Sequence, residues 1–305
     1  MFTIAVPLGR LDGLAAKVAI DKGFFDKEGV EVTASNYETA DDLAALIRGE
    51  VDFGYTSPQQ LAKIVNDGVS LRSVHPIAIN SCHLLVASDS RYRELKDLEG
   101  KKIGLVGWES TSSTSFQILA KKLTGLNKAD FKYEIAEPPE LIRKLEDGDI
   151  QATVLWEPTL TEVLLTDKFR SILGPFADVW TDSKQMKGKI SIAMLTTRKD
   201  ILDRNSKEAT KVVAAYRKSI RYIMQNSPEV INGYESYVQA HSHKEKRAVA
   251  RVLKSGSSFT LDYSKSVIEA QYNFIELAAK LGVVVTRKPR QRLYYRIVAG
   301  RLIGE

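Results

Sequence analysis

Over roughly the first two-thirds of the chain, short apolar runs rich in β-formers alternate with stretches whose apolar residues recur at helical spacing. "TIAVPL" reads as a strand and "LDGLAAKVAIDKGFF", with Leu14, Val18 and Phe25 near one face, as a helix. "VEVTASN", "TADDLAALIRG", "VDFGYT" and "SPQQLAKIVNDG" continue as strand, helix, strand and helix, and "LRSVHPIAI" and "HLLVASD" add two more strands. This rhythm predicts a mainly parallel sheet with helices on its faces. Thr39 and Ser57 stand at two helix starts as capping residues, the second followed by Pro58 in the first turn.

After "RYRELKDLEG" the rhythm restarts with "KKIGLVG", "TSSTSFQILAKKLTG", "FKYEIA", "PELIRKLEDGD", "IQATVLWE" and "PTLTEVLLTDK". "IRGEVDFGYT" and "LEDGDIQATVLW" share one plan, a helix closing in Gly before a strand that opens on Asp, so two similar α/β lobes are expected. "ISIAMLTTR", Ile190–Arg198, reads as a strand returning to the first lobe. Everything beyond it has a helical pattern: a long helix stopped at Ser227-Pro228, then "SPEVINGYESYVQAH", "EKRAVARVLKSG" and a last helix ending at Gly282. The stretch between "ILGPF" and "KGKIS" reads as a loop or flap. The expected organisation is residues 1–85 as the first part of lobe 1, 86–190 as lobe 2, and 191–305 as the return to lobe 1 with a helical C-terminal extension. Two lobes joined by two crossovers make a cleft, where strand C-terminal ends and helix N-termini place ligands.

Composition narrows the classes. With 305 residues, 44% of them apolar, the chain can build one large core or two lobes. No run approaches about 18 consecutive apolar residues, the length of a membrane-spanning helix. The single cysteine, Cys82, rules out an internal disulfide and a Cys-rich zinc site, and on a strand the adjacent His83 points to the opposite face. Net charge is +6 overall, yet residues 1–200 carry 25 Lys/Arg against 29 Asp/Glu, so the excess lies in the last third. It is densest at Arg287, Lys288, Arg290, Arg292, Arg296 and Arg301. That end reads first as a solvated face, with contact to a partner protein or an anionic membrane surface as its functional reading. No nucleic-acid-binding motif accompanies it, and nucleic acid is not expected as a partner.

The densest chemistry lies in "GWESTSSTS". Gly107 frees a turn, and Ser110 or Thr111 can cap a helix starting near Ser112. Its first-turn N–H groups offer an anion site, or the hydroxyls do no more than cap. Glu109 would compete with an anion or receive a ligand amine, and Trp108 supplies a flat apolar face. From the first lobe, Arg10 can pair bidentately with an oxyanion, and Tyr55, Thr56 and Ser57 stand at another helix start. Asn80 and His83 flank the first crossover, and Trp156 and Glu157 end the last strand of the second lobe. No nucleophile motif, phosphate loop or metal-ligand spacing appears, and "HSH" at 241–243 reads as an exposed break between helices. Catalytic residues, metal ligands and cofactors are therefore expected to be none.

Four segments in register resemble a known family: "AKVAIDKGFFDKEGVEV", "ALIRGEVDFGYTSP", "LKDLEGKKIGL" and "ATVLWEPTLTEVL". Across about residues 10–200 the chain is similar to the SsuA/NrtA/THI5-like group of solute-binding proteins with the type II periplasmic-binding-protein fold. The resemblance implies an α/β fold of two lobes that close on a small molecule such as nitrate, a sulfonate, taurine or a pyrimidine precursor, and deliver it to an ABC permease. It also implies an alternative, a cytoplasmic enzyme of thiamin-pyrimidine or related cofactor synthesis, although the Cys-rich iron site of those enzymes has no counterpart in a chain with one Cys. The location is extracytoplasmic if a leader has been removed and cytoplasmic otherwise. Arg10 and the hydroxyls favour an oxyanion, whereas Trp108, Glu109 and Tyr55 favour a heteroaromatic amine.

Overall fold

The computed structural model describes residues 1–8, 10–37, 41–108, 110–181, 189–238, 240–256, 258–283, 292–298 and 300–305. The first unit runs β1 (Phe2–Pro7), α1 (Leu11–Asp21), α2 (Phe24–Glu28), β2 (Val32–Tyr37), α3 (Asp41–Arg48), β3 (Phe53–Thr56), α4 (Pro58–Asn66) and β4 (Leu71–Ile79). The second runs β5 (His83–Ala87), β6 (Lys102–Leu105), α5 (Thr111–Thr124), β7 (Lys132–Ile135), α6 (Pro138–Glu146), β8 (Ala152–Leu155), α7 (Thr159–Leu164), β9 (Phe169–Leu173) and α8 (Phe176–Thr181). The chain then returns through β10 (Ser191–Arg198) to α9 (Lys199–Arg204), α10 (Ser206–Gln225), α11 (Ser227–Gly233), α12 (Glu235–Val238), α13 (His243–Ser255) and α14 (Lys265–Lys280). It closes with β11 (Tyr295–Val298) and β12 (Arg301–Gly304).

The two lobes repeat one topology. The first sheet has strand order β2-β1-β3-β10-β4, the second β7-β6-β8-β5-β9. In each, one strand runs antiparallel to both its neighbours: β10 between β3 and β4, and β5 between β8 and β9. Those two strands are where the chain enters the second sheet and returns to the first. The remaining strands of each sheet point the same way, so their C-terminal ends, and the helices that start there, face the cleft. Strands β3 and β4 are buried along their whole length, so the polar Thr56, Arg72, Ser73 and His75 are buried with their apolar neighbours.

Local rules set the helix starts. Ser57 forms a full capping box with Gln60, with Pro58 in the first turn of α4. Ser110, not Thr111, caps α5, and the helix ends at Gly125 in the left-handed region (φ 78°). At "HSH", Ser242 caps α13 in a second capping box, with both flanking histidines exposed. The expected cap Thr39 lies outside the described residues.

Differences from the sequence pattern have identifiable causes. Gly23, at φ 63°, ends the first helical turn sequence and makes α2 a separate element. The expected flap contains α8, while residues 182–188 lie outside the described residues. The "SPEVINGYESYVQAH" helix breaks at Tyr234 into α11 and α12. The extension does not end as helix: β11 and β12 form a hairpin turned at Gly300 (φ 76°), and the preceding Tyr294 bridges Ser73 at the edge of the first sheet. Arg292, Arg296 and Arg301 belong to this segment, whereas Arg287, Lys288 and Arg290 lie outside the described residues.

One helix is shared between the lobes. Ile268 and Ile275 of α14 pack in a core with Leu61, Leu71 and Met194 of the first lobe. Ala270, Phe274 and Ala278 of the same helix pack with Phe116, Val154 and Trp180 on the second-lobe side. Gln271 adds a polar grip on the return crossing, accepting from the Ser191 N–H (2.9 Å) and donating to the Lys189 carbonyl (2.9 Å).

Candidate functional site

The two lobes meet where helix N-termini converge. Thr111, the first residue of α5, donates from Oγ1 to Oε1 of Gln59 in the first turn of α4 (3.2 Å). Behind it Ser112, Ser113, Thr114 and Ser115 are all buried, an unusual run of hydroxyls removed from water. Ser110 is spent on its cap, accepting from the Ser113 N–H (3.1 Å). Asn80, between β4 and β5, donates to Ser115 Oγ (2.7 Å). Its Oδ1, together with Thr114 Oγ1 and Gln117 Oε1, is buried with no hydrogen-bond partner among the described residues. Buried polar atoms are normally paired, so such orphans beside a cleft mark where a ligand or water would bond. Thr114 and Ser115 belong to the hydroxyl-rich stretch that the sequence singled out, whereas Gln59 and Gln117 carry no signal of this role beyond their polarity; the contact that reveals Gln59 crosses between lobes.

Arg10 sits at the N-terminus of α1, but its guanidinium is already committed. It forms a two-pronged pair with Asp12 and a further bond from its Nη1 to Asp42 Oδ1 (3.1 Å) on α3. Both carboxylates are buried while the arginine is 41% exposed, so this cluster brings the cleft a formal excess of negative charge rather than a free cation. Burial pushes the Asp42 carboxyl up, against the opposing pull of Arg10. Arg10→Ala would leave two buried carboxylates without their cation. The expected cost is about 2 kcal/mol at neutral pH, below the usual range for a buried pair because the arginine is partly solvated. Urea titration checks it: the deficit should shrink as acid protonates the carboxylates, and equal stability at neutral pH would refute the assignment.

The remaining predicted residues are placed as follows. Tyr55 is a core side chain rather than one open to the cleft, its hydroxyl bonded to that of Tyr216 (2.7 Å). Thr56 is buried against Thr196 (2.7 Å between hydroxyls), and Ser57 is engaged in its capping box. Trp108 is 38% exposed, meets Tyr133 edge-on (centroids 4.8 Å apart), and carries the Lys128 ammonium 3.5 Å from its ring centroid. Trp156 is partly buried against the second-lobe core. Glu109 lies outside the described residues. His83 bonds Ser171 (2.8 Å), away from the buried Cys82 thiol, whose pKa burial pushes up.

Glu157 stands just past β8, at its cleft end. Burial raises its carboxyl from the ordinary 4.5 to about 7, although the Thr161 N–H donates to its Oε2 (3.1 Å). No lysine or arginine forms an ion pair with it among the described residues.

The family model described as NMT1/THI5 like matches residues 14–230. The chain belongs to this NMT1/THI5-like family. The match runs from within α1 to within α11, taking in β2 to β10 and the whole second sheet but not β1. No curated protein matches the sequence. Among solved structures, the periplasmic aliphatic sulphonate binding protein SsuA from Escherichia coli superimposes with a TM-score of 0.76 at 17% identity, covering 100% of this chain and 94% of that one. The alkanesulfonate-binding protein SsuA from Xanthomonas axonopodis pv. citri, bound to MOPS, gives 0.75 at 16% identity, covering 97% and 98%. The zinc-bound ligand-binding component of an ABC-type import system from Staphylococcus aureus gives 0.67 at 16% identity, covering 90% of each chain. At these identities the likeness establishes the two-lobe fold. No helix among the described residues is long and apolar enough to cross a membrane.

Proposed function

We propose that this chain is an extracytoplasmic solute-binding protein of an ABC-type import system, closing its lobes on a small polar organic molecule. The observation that carries the reading is the buried hydroxyl run of α5 reaching α4 through Thr111 and Gln59, with Asn80 Oδ1 and Thr114 Oγ1 left unpartnered beside it. The similarity to binding components of import systems supports it, as does family membership. The mechanism is population shift, the solute supplying bonds from both lobes that only the closed form makes together. A permease is the partner to which such a protein hands its solute.

Charge decides between the solute classes. Because Arg10 is matched by Asp12 and Asp42, it does not offer the cleft a free guanidinium for a sulfonate or nitrate. A solute bearing N–H donors, of the heteroaromatic amine class that includes pyrimidine precursors, complements the acceptors and the exposed face of Trp108. A thermal-shift screen over aminopyrimidines, flavins, sulfonates, nitrate and taurine tests this. Ligand at 100 times its Kd adds about 2.7 kcal/mol, a clear shift in Tm. Trp108→Ala and Thr111→Val should each weaken the hit by about tenfold, and unchanged affinity in both would remove the site from this place. One observation favours the enzymatic alternative: Glu157, held near neutrality, is tuned as a general acid or base must be. Product analysis of each hit separates the readings, since a transported solute returns unchanged and a substrate does not.

A further inference from the structure

A second cavity, of about 330 Å³, lies within the first lobe and away from the inter-lobe cleft. Its walls come from β4, α10, the segment 261–263 and β11, so the C-terminal hairpin forms one side. Two features make it a built site rather than a packing gap. His75, on β4, is 1% exposed, packs edge-on against Tyr263 (centroids 5.7 Å apart), and its Nε2 is buried without a hydrogen-bond partner among the described residues. Arg217, on α10, is half-buried; its Nη1 donates to the Leu261 carbonyl (2.8 Å), and no carboxylate among the described residues lies within ion-pairing distance. By contrast Arg296, across the cavity, already holds Glu305 (2.6 Å). Asp262 also lines the cavity and is the acidic group whose charge Arg217 feels, while Arg221, one turn along α10, repels it.

A desolvated guanidinium without a counter-ion calls for an anion. Burial, with Arg217 adding to it, lowers His75 to about 3, so at neutral pH its ring is uncharged and carries one N–H. Val74, Val213, Leu261 and Ile297 supply apolar walls. The volume equals that of about eleven waters at liquid density, enough for a single-ring or short-chain acid.

We propose that this cavity is a second ligand site, binding a small organic acid whose carboxylate or sulfonate lies between Arg217 and His75 and whose apolar body lies against the aliphatic wall. The site is independent of the inter-lobe cleft and of which solute the cleft takes.

The test uses the full chain, benzoate and benzenesulfonate as probes, and the imidazole ¹⁵N resonances of the four histidines. Either probe should shift His75 saturably while His83, which sits at the first crossing near the cleft, stays in place. Arg217→Gln should weaken the effect by at least about tenfold, and Ile297→Trp should abolish it by filling the cavity without removing charge. Backbone amide spectra confirm that each variant is folded, and if one is not, the other decides. An unmoved His75, a shift equal in the wild type and both variants, or a saturable shift of His83 alone would each overturn the proposal. The relative strength of the two probes distinguishes a carboxylate site from a sulfonate site.

Discussion

Gly13→Ala is expected to destabilise the protein by more than about 3 kcal/mol, or to prevent soluble expression, because the first turn of α1 lies directly against the end of β1. A methyl group on Gly13 would sit 1.7 Å from the Pro7 carbonyl oxygen and 2.8 Å from its carbon. These are backbone atoms and cannot swing aside as a side-chain tip would; either α1 or the strand must move. Gly68 provides the control. Its added methyl meets nothing within 4 Å, but its φ is 96°, so Gly68→Ala should cost only about 1 kcal/mol of backbone strain. Urea denaturation of both variants compares a steric cost with a conformational one. A Gly13→Ala cost no greater than that of Gly68→Ala would show that the close approach is not a constraint. Any Gly13→Ala protein that does fold carries a displaced α1 start or a displaced β1 end, and where α1 moves the Arg10–Asp12 pair moves with it.

The second large effect is in pH dependence. Glu157 keeps its proton in the folded protein up to about pH 7, whereas the unfolded chain releases it near the ordinary 4.5. Between those values the native state binds more protons than the unfolded state, so stability falls as pH rises through the window and levels off above it. The loss amounts to at most about 3 kcal/mol. Glu157→Gln removes the titrating proton while keeping the shape and the acceptor for the Thr161 N–H. Wild-type stability relative to the variant should therefore decline from pH 5 to pH 8. Parallel pH profiles for the two proteins, measured by urea midpoint, would place the carboxyl in solvent instead.

Much of the fold could be read from the chain because parallel-sheet lobes write themselves plainly: buried strands appear as apolar runs, and Ser57 and Ser110 announce their helices before any tertiary contact forms. The same burial hid which way side chains face. All four residues of β3 are buried, so period-two alternation could not reveal that Tyr55 turns into the core toward Tyr216. The closing hairpin was masked by its arginines. Arg296 and Arg301 read as a basic helical tail, although Tyr295 and Ile297 flanking Arg296 already alternate as a strand does. At the site, Asp12 stands two residues from Arg10 and was open to inspection as its partner. Asp42, 32 residues away, and the Gln59–Thr111 contact, 52 residues apart, depend on how helices are brought together and have no local signature.

The shared helix α14 has a mechanical consequence. Two strand crossings alone would give the lobes an axis to turn about and little resistance to turning. A helix gripped by both cores adds a restoring spring, since opening must strip Phe274 and its neighbours from the second-lobe side or Ile268 and Ile275 from the first. Peeling away 100 Å² of that apolar contact costs about 2.5 kcal/mol, nearly a hundredfold in the ratio of open to shut molecules. Capture strength can therefore be tuned along α14, by residues that never touch the captured molecule.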